Sequence, residues 1–473
     1  MTRLPLLPPE VVKGSLRADG TRETVQPADV RGRYTTARRV VYVVLLIVAF
    51  VLPWVSIGGN PAVFLDIETR RFFLFGRTFN AQDAWLLFFL LTGVGFGLIY
   101  LTAWLGRVWC GWACPQTVLL DTIYRRIERL IQGPREARIR RNAGAWTTDR
   151  TVRVGLTHAA YLVVSLALAH GVLSYFVSAP GVFRLVASGP TAHTEAFVWV
   201  FAMTGILYFN FAHFREQLCL AICPYGRLQS VLIDVDSLTI GYDSRRGEPR
   251  AKATFDATHD GEEAQKSAGD CVDCKRCVVV CPTGIDIRNG LQMDCVACTA
   301  CIDACDDIMD RLGRPRGLIR YASTAGLAGG KTRFLRPRII IYSALMIVGL
   351  VVAALAFGKH ADFEANLLRL PGPPYTFEGD SIVDGFEVHV VNKTSHAEEY
   401  VLAAEGDAPE ASFVLPLPVV RLGPLEGTRV PVLVSVPRAA YKHDFALRLH
   451  VRTKSEPEKV IVGRFLGAAG GGA

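Results

Sequence analysis

Cys271-Val-Asp-Cys274-Lys-Arg-Cys277-Val-Val-Val-Cys281-Pro282 and, thirteen residues on, Cys295-Val-Ala-Cys298-Thr-Ala-Cys301-Ile-Asp-Ala-Cys305 decide what kind of protein this is. Both halves carry the spacing C-x2-C-x2-C-x3-C. In that pattern three thiolates of one half hold a cubane and the fourth crosses to the cluster of the other half. Cys271, Cys274, Cys277 and Cys305 are therefore assigned to a first [4Fe-4S] cluster, and Cys295, Cys298, Cys301 and Cys281 to a second. Two-residue gaps wrap a tight loop round one face of a cluster, and soft thiolates suit iron-sulfur chemistry. Zinc sites use C-x2-C couples set far apart, and disulfides need no duplicated period. Cys281 precedes a proline, whereas Cys305 precedes Asp306, which alters a local turn and not the ligand set.

Outward from this run the chain becomes apolar. Its 473 residues exceed one domain, and a mean hydropathy of +0.27 places much of it in lipid. Apolar runs near the ~20 residues needed to cross a bilayer occur at Val40–Ile57, Ala84–Leu105, Val154–Val177, Ala196–Ala212 and Ile339–Phe357. The first starts too late for a cleaved secretory signal and reads as a retained anchor. Arginines crowd the segment between the second and third runs, from Arg107 to Arg153, and are sparse in the loops before the second and fourth. By the positive-inside rule the N-terminus and the cysteine run lie in the cytoplasm, where thiols stay reduced, and the last span carries the C-terminus out. The net charge of +8 is distributed as membrane topology and not as a nucleic-acid surface.

The remaining four cysteines form a second duplication. Cys110-Gly-Trp-Ala-Cys114-Pro-Gln116 follows the second span, and Cys219-Leu-Ala-Ile-Cys223-Pro-Tyr-Gly-Arg-Leu-Gln229 follows the fourth. If helical, each C-x3-C would present both sulfurs on one face. Brought together, Cys110, Cys114, Cys219 and Cys223 would be soft donors suited to Cu(I). Against this stands the plain use of cysteine as a small packing residue. His158 and His170 lie in the third span as ionisable groups in lipid. Asp294, Asp303, Asp306 and Asp307 crowd the second half of the run while Lys275 and Arg276 sit in the first, an asymmetry expected to separate two cluster potentials. Beyond His360, alternation in Phe386–Val391, Val430–Val436 and Phe445–Val451 predicts an antiparallel sandwich.

Together with Arg246-Gly-Glu-Pro-Arg250, Cys281-Pro-Thr-Gly-Ile-Asp286 and Pro315-Arg-Gly-Leu-Ile-Arg-Tyr321, the two C-x3-C-P stretches resemble the cytochrome c oxidase accessory proteins called CcoG, FixG or RdxA. The resemblance implies a multidomain chain: a five-span α-helical membrane bundle, an inserted bacterial-type 2[4Fe-4S] ferredoxin domain and a C-terminal immunoglobulin-like β-sandwich. The expected boundaries are a disordered cytoplasmic arm over 1–39, four spans within 40–230, ferredoxin over 231–338, the fifth span over 339–358 and a periplasmic domain over 359–473. It further implies a bacterial inner-membrane cupric reductase supplying Cu(I) for assembly of a cbb3-type oxidase, with copper as substrate or transient ligand. Oxidase assembly factors or copper chaperones and an unidentified cytoplasmic electron donor would be its partners. The sequence names no catalytic acid or base and leaves a homo-oligomer open. A quinone-linked electron-transfer subunit and a structural scaffold are the alternatives.

Overall fold

A computed structural model describes residues 25–57, 59–80, 83–250, 269–358, 361–394 and 396–467. Residues 1–24 of the expected arm lie outside these. Among the described residues five helices are long and apolar enough to cross a membrane: Arg33–Trp54, Trp85–Leu105, Thr148–Val177, Thr194–Phe214 and Pro337–Gly358. Their outward faces are apolar and exposed, only 6% of the last one's apolar window being buried within the protein. That is the pattern of a helix whose solvent is lipid.

The first span differs from its expected start. It begins at Arg33 and takes in part of the segment predicted to be disordered. The reason is remote in sequence: the Asp303 carboxylate accepts from the Tyr34 amide at 3.2 Å, the Thr35 amide at 2.6 Å and the Thr35 hydroxyl at 2.7 Å. A carboxylate on the free amides of a helix N-terminus stabilises it. Gly32 permits this approach, since a Cβ there would overlap the Asp303 side chain. Just upstream, the Ala28 amide donates to Val279 O at 2.9 Å.

Residue contacts divide the chain into two units, one running to Val51 and from Phe88 to Val352, the other from Leu52 to Leu87 and from Ala353 onward. Within the first, the third and fourth spans pack through Ala169, Leu173 and Val200. The ferredoxin region is closed by an antiparallel pair, Thr239–Tyr242 with Ile319–Ala322, joining chain that precedes the cysteines to chain that follows them. The stretches Arg246–Arg250 and Pro315–Tyr321 meet alongside, where Arg246 donates to Arg316 O at 3.0 Å.

The second unit holds the predicted sandwich. One sheet orders Ser412–Val414, Gly427–Pro437, Ser381–Asn392 and Phe363–Arg369, with Thr376–Glu378 on the end of the third. The other orders Val419–Leu422, Glu398–Gly406, Phe445–Arg452 and Lys459–Phe465. Alternate residues of Ser381–Asn392 are buried, the signature of a strand with one face on a core. Short strands between the first two spans, including Val63–Asp66, Arg71–Leu74 and Arg77–Phe79, belong to this unit. Lys393 reaches Asp83 at 2.8 Å.

Candidate iron-sulfur and thiol sites

The duplicated run folds as a duplicated conformation. Asp273 and Lys275 in the first half have φ of 49° and 54°, and their equivalents Ala297 and Thr299 have 53° and 65°. Left-handed conformations cost a non-glycine residue free energy, and here they recur at the same two positions of each loop. Alternating hand turns successive amides toward one concave side, the geometry of an anion nest. The thiols follow. Cys271, Cys274, Cys277 and Cys305 line one cavity; Cys281, Cys295, Cys298 and Cys301 line a second, together with Cys277. Among the described residues no three His, Cys, Asp or Glu are close enough to share a single metal ion. Each set of four lines its own cavity, which is the partition that the crossed ligand sets of two cubane clusters require.

Burial pushes the Cys277, Cys295 and Cys305 thiols up to about 12. Without metal they would stay protonated, and bound iron would supply the positive charge that makes them thiolates. The first loop is braced by Arg288, which bonds Asp273 at 2.5 Å and Asp286 at 2.6 Å. Cys274 is exposed whereas Cys298 is buried, so the first cavity stands nearer solvent. The acidic residues of the second half have local duties. Asp303 caps the first span, Asp306 accepts from the Gly317 amide at 2.9 Å, and Asp307 pairs with Arg311 at 2.8 Å.

The C-x3-C-P arms are not the continuous helices that would stack their sulfurs. Cys110 lies in the helical turn Val108–Trp112, but Cys114 is extended, at φ −62° and ψ 125°, and opens the next helix at Pro115. In the second arm Cys219 lies in a π-helical turn, Leu218–Ile222, and Cys223 is extended at φ −61° and ψ 112° before Pro224. The prolines impose this: the residue before proline is driven out of the helical region, and proline itself suits the first position of the following helix. Each motif is thus a helix break with one cysteine in the turn before it and the other at the break itself.

The structure brings the four thiols within electrostatic reach of one another. Burial raises Cys110 to about 11 and Cys219 to about 12; Cys114 and Cys223 add to both, and Cys110 also acts on Cys219. Burial raises Cys114 too, against the amides of Gln116 and Thr117. Two glutamines cross between the arms. Gln229 of the second donates to Cys110 Sγ at 3.3 Å. Gln116 of the first exchanges hydrogen bonds with Asn210, at 3.3 and 2.7 Å, and donates to Arg215 O at 3.0 Å. Arg107 adds a bond to Gly226 O at 2.7 Å. The base of the clasp is ionic: buried Glu128 bonds Arg215 at 2.6 Å and Arg138 at 2.7 Å. Burial alone would raise the Glu128 carboxyl, and the two guanidinium groups more than reverse it, holding it below the usual range.

This clasp sits on the second cluster's loop. Cys110 and Cys219 pack against the buried group of Val280, Val296, Cys298, Ala300 and Ala304. A Cβ at Gly111 would lie 2.5 Å from Ala297 O and 2.6 Å from Val296 O, so only glycine admits the contact. Tyr42 donates to Gly111 O at 2.5 Å, Trp112 to Tyr321 Oη at 3.1 Å, and Arg38 to Cys298 O at 2.7 Å. The sequence alone assigns no role to Gly111, Gln116, Gln229 or Glu128; the available signal was a glutamine downstream of Cys-Pro in each arm, directly after it at Gln116 and five residues past Pro224 at Gln229. His158 bonds Tyr208 at 2.9 Å and lies 5.9 Å from His213 by ring centroids. His170 bonds its own helix at Leu166 O, 2.8 Å away.

Residues 214–324 match the family described as a 4Fe-4S dicluster domain, and residues 86–134 one described as a 4Fe-4S binding domain. Residues 353–466 match the immunoglobulin-like fold at the C-terminus of FixG, a putative oxidoreductase. Protein RdxA of Cereibacter sphaeroides is 36% identical over 403 residues, covering 82% of this chain and 83% of that one. The nitrogen fixation protein FixG of Rhizobium meliloti is 34% identical over 429 residues, covering 81% and 80%. RdxB of Cereibacter sphaeroides is 34% identical over 416 residues, covering 85% of each. With this similarity running through the spans, the cluster loops and the sandwich, the chain belongs to the FixG/RdxA family of membrane iron-sulfur electron-transfer proteins.

Proposed function

We propose that the protein is a cupric reductase that gives single electrons to Cu(II) at Cys110, Cys114, Cys219 and Cys223, releasing Cu(I) for assembly of a cbb3-type oxidase. The observation that carries this is the packing of Cys110 and Cys219 against the buried group that includes Val296 and Cys298 of the second cluster's loop. Clusters held by the eight thiolates supply one-electron chemistry. The exposed Cys274 offers a cytoplasmic donor access to the first cavity. Each Cu(II) takes one electron, and the product Cu(I) is the softer ion, which thiolates hold well. A C-x3-C pair needs to supply only two sulfurs for it. The reading puts the N-terminus and clusters in the cytoplasm of a bacterial inner membrane and the sandwich in the periplasm, on the arginine bias. The link to oxidase assembly, its factors and copper chaperones rests on the family resemblance.

A second reading has its own support. The match over 86–134 to a 4Fe-4S binding domain contains Cys110 and Cys114 as its only cysteines. Four thiols that act on one another without forming a single-ion site are also what a third cluster would need. Iron per chain separates the two, because the second reading requires half as much iron again.

The functional test adds Cu(II) to anaerobically reduced protein, follows cluster absorbance and captures Cu(I) with a selective chelator. Stoichiometric Cu(I), lost when all four membrane-boundary cysteines are changed to serine in a protein that keeps its clusters, supports the reductase. Clusters that stay reduced in the presence of Cu(II) refute it.

A further inference from the structure

A cavity of about 410 Å³ opens between the start of the first span, the segment from Asp121 to Arg138 and the loops that carry the second cluster's cysteines. Val280 and Pro282, on either side of Cys281, form part of its wall. Eight arginines and only two aspartates line it. Asp121 is used by Arg125 at 2.6 Å and Arg38 at 3.6 Å, and Asp29 by Arg129. Arg31, Arg39 and Arg126 make no ion pair with any described residue. Moreover, Arg38, Arg125 and Arg138 each keep a buried Nε without an acceptor, and Arg38 and Arg138 are only 8% exposed. Positive charge gathered in a cavity, with buried donors left open, is complementary to a multiply hydrogen-bonding anion. Phosphate has that chemistry.

Two neighbours choose among phosphates. The cavity takes in Thr35 to Tyr42, where the first span passes from its arginines to its apolar run, the part of a span that meets lipid headgroups. Leu130, on the same rim, is 83% exposed beside Arg126 and Arg129 on the helix Arg125–Gln132. An exposed leucine among arginines at a span end suits acyl chain below and headgroup above. We infer that this cavity binds the phosphate headgroup of an anionic glycerophospholipid. The bound lipid would rest against the loop of the second cluster, to which Arg125 is tied through Pro282 O at 3.1 Å.

The test uses the full chain in nanodiscs of phosphatidylcholine containing a minority of phosphatidylglycerol, with bound lipid measured by native mass spectrometry. The parent should enrich phosphatidylglycerol in its retained lipid by roughly tenfold. Arg39→Gln with Arg126→Gln should lose most of that enrichment, while Arg39→Lys with Arg126→Lys keeps much of it. Iron content and the copper assay serve as controls for folding, so failure here is distinct from failure of the reductase reading. Equal retention of the two lipids by the parent, or enrichment indifferent to the glutamine variant, would overturn the inference. So would arginine-dependent binding of ATP or inorganic phosphate without lipid enrichment, which would assign the cavity to a soluble phosphate.

Discussion

In the run from Cys271 to Cys305 each thiol is set by a local wrap, two left-handed residues per loop placing amides and sulfurs on one concave side. In the arms at the membrane boundary each thiol is set by a helix break at proline, and what joins them is distant: crossed glutamines, a buried Glu128 between two arginines, and a glycine pressed on a neighbouring loop. Both are duplications of four-residue precision, yet one is organised round its metal and the other round protein. The contrast teaches that equal regularity in spacing does not imply equal dependence on a ligand. The first duplication should fall apart without metal, whereas the second should persist.

Iron removal should separate the two regions most strongly. Chelation under reducing conditions should unfold the cysteine run, because binding free energy is folding free energy when the site is not formed in the unfolded chain. Proteolysis should then cut between Cys271 and Cys305 while the spans and arms stay protected. Equal protection of both regions would erase the distinction.

Glu128→Gln is the matching insult to the arms. It takes the shared carboxylate from buried Arg138 and leaves Arg215 only its longer pair with Glu216 at 3.8 Å, a loss of about 3–5 kcal/mol, read as thermal melting of the membrane unit with cluster absorbance retained. The pH dependence has a definite sign. Because the folded carboxyl is held below its ordinary value of about 4.3, its contribution is present above that pH and drains away as pH falls through the folded value. The parent should lose stability on acidification over that window, and the glutamine variant should do so less steeply.

Smaller changes sharpen the boundary between the two regions. Gly111→Ala forces a Cβ against the Ala297 and Val296 carbonyls and should cost roughly 1–3 kcal/mol, with its effect centred on the second cluster; a perturbed EPR spectrum for one cluster and not the other is the readout. Gln229→Leu removes the glutamine's contact with Cys110 and should cost about 1 kcal/mol. A double-mutant cycle with Gln116→Leu should show coupling if the two glutamines close one clasp, and simple additivity if they do not.

Much of this was legible in the sequence where the determinant is local. The cluster cysteines, the five spans and the alternation of Phe386–Val391 each report themselves within one window. What was illegible is set by partners far along the chain. Arg33 to Arg39 lack apolar character, and they are helical because Asp303, some 270 residues on, caps them. The helical reading of C-x3-C overlooked the restriction that each following proline imposes. Strands of three or four residues such as Arg77–Phe79 are too short to show a period. Asp303 and Asp306, expected from composition to bear on a cluster potential, also bond backbone amides far along the chain, which composition does not show.

The most direct test of the account is a single-turnover comparison. Reduced protein is mixed rapidly with Cu(II), and cluster reoxidation is followed in the parent, in Cys110→Ser with Cys219→Ser, and in Cys114→Ser with Cys223→Ser, each verified to hold full iron. Since Cys110 and Cys219 are the thiols packed on the second cluster's loop, their loss should slow reoxidation more than loss of the other two. Reoxidation at the parental rate in both variants would contradict the proposed route from the second cluster's loop to the arms.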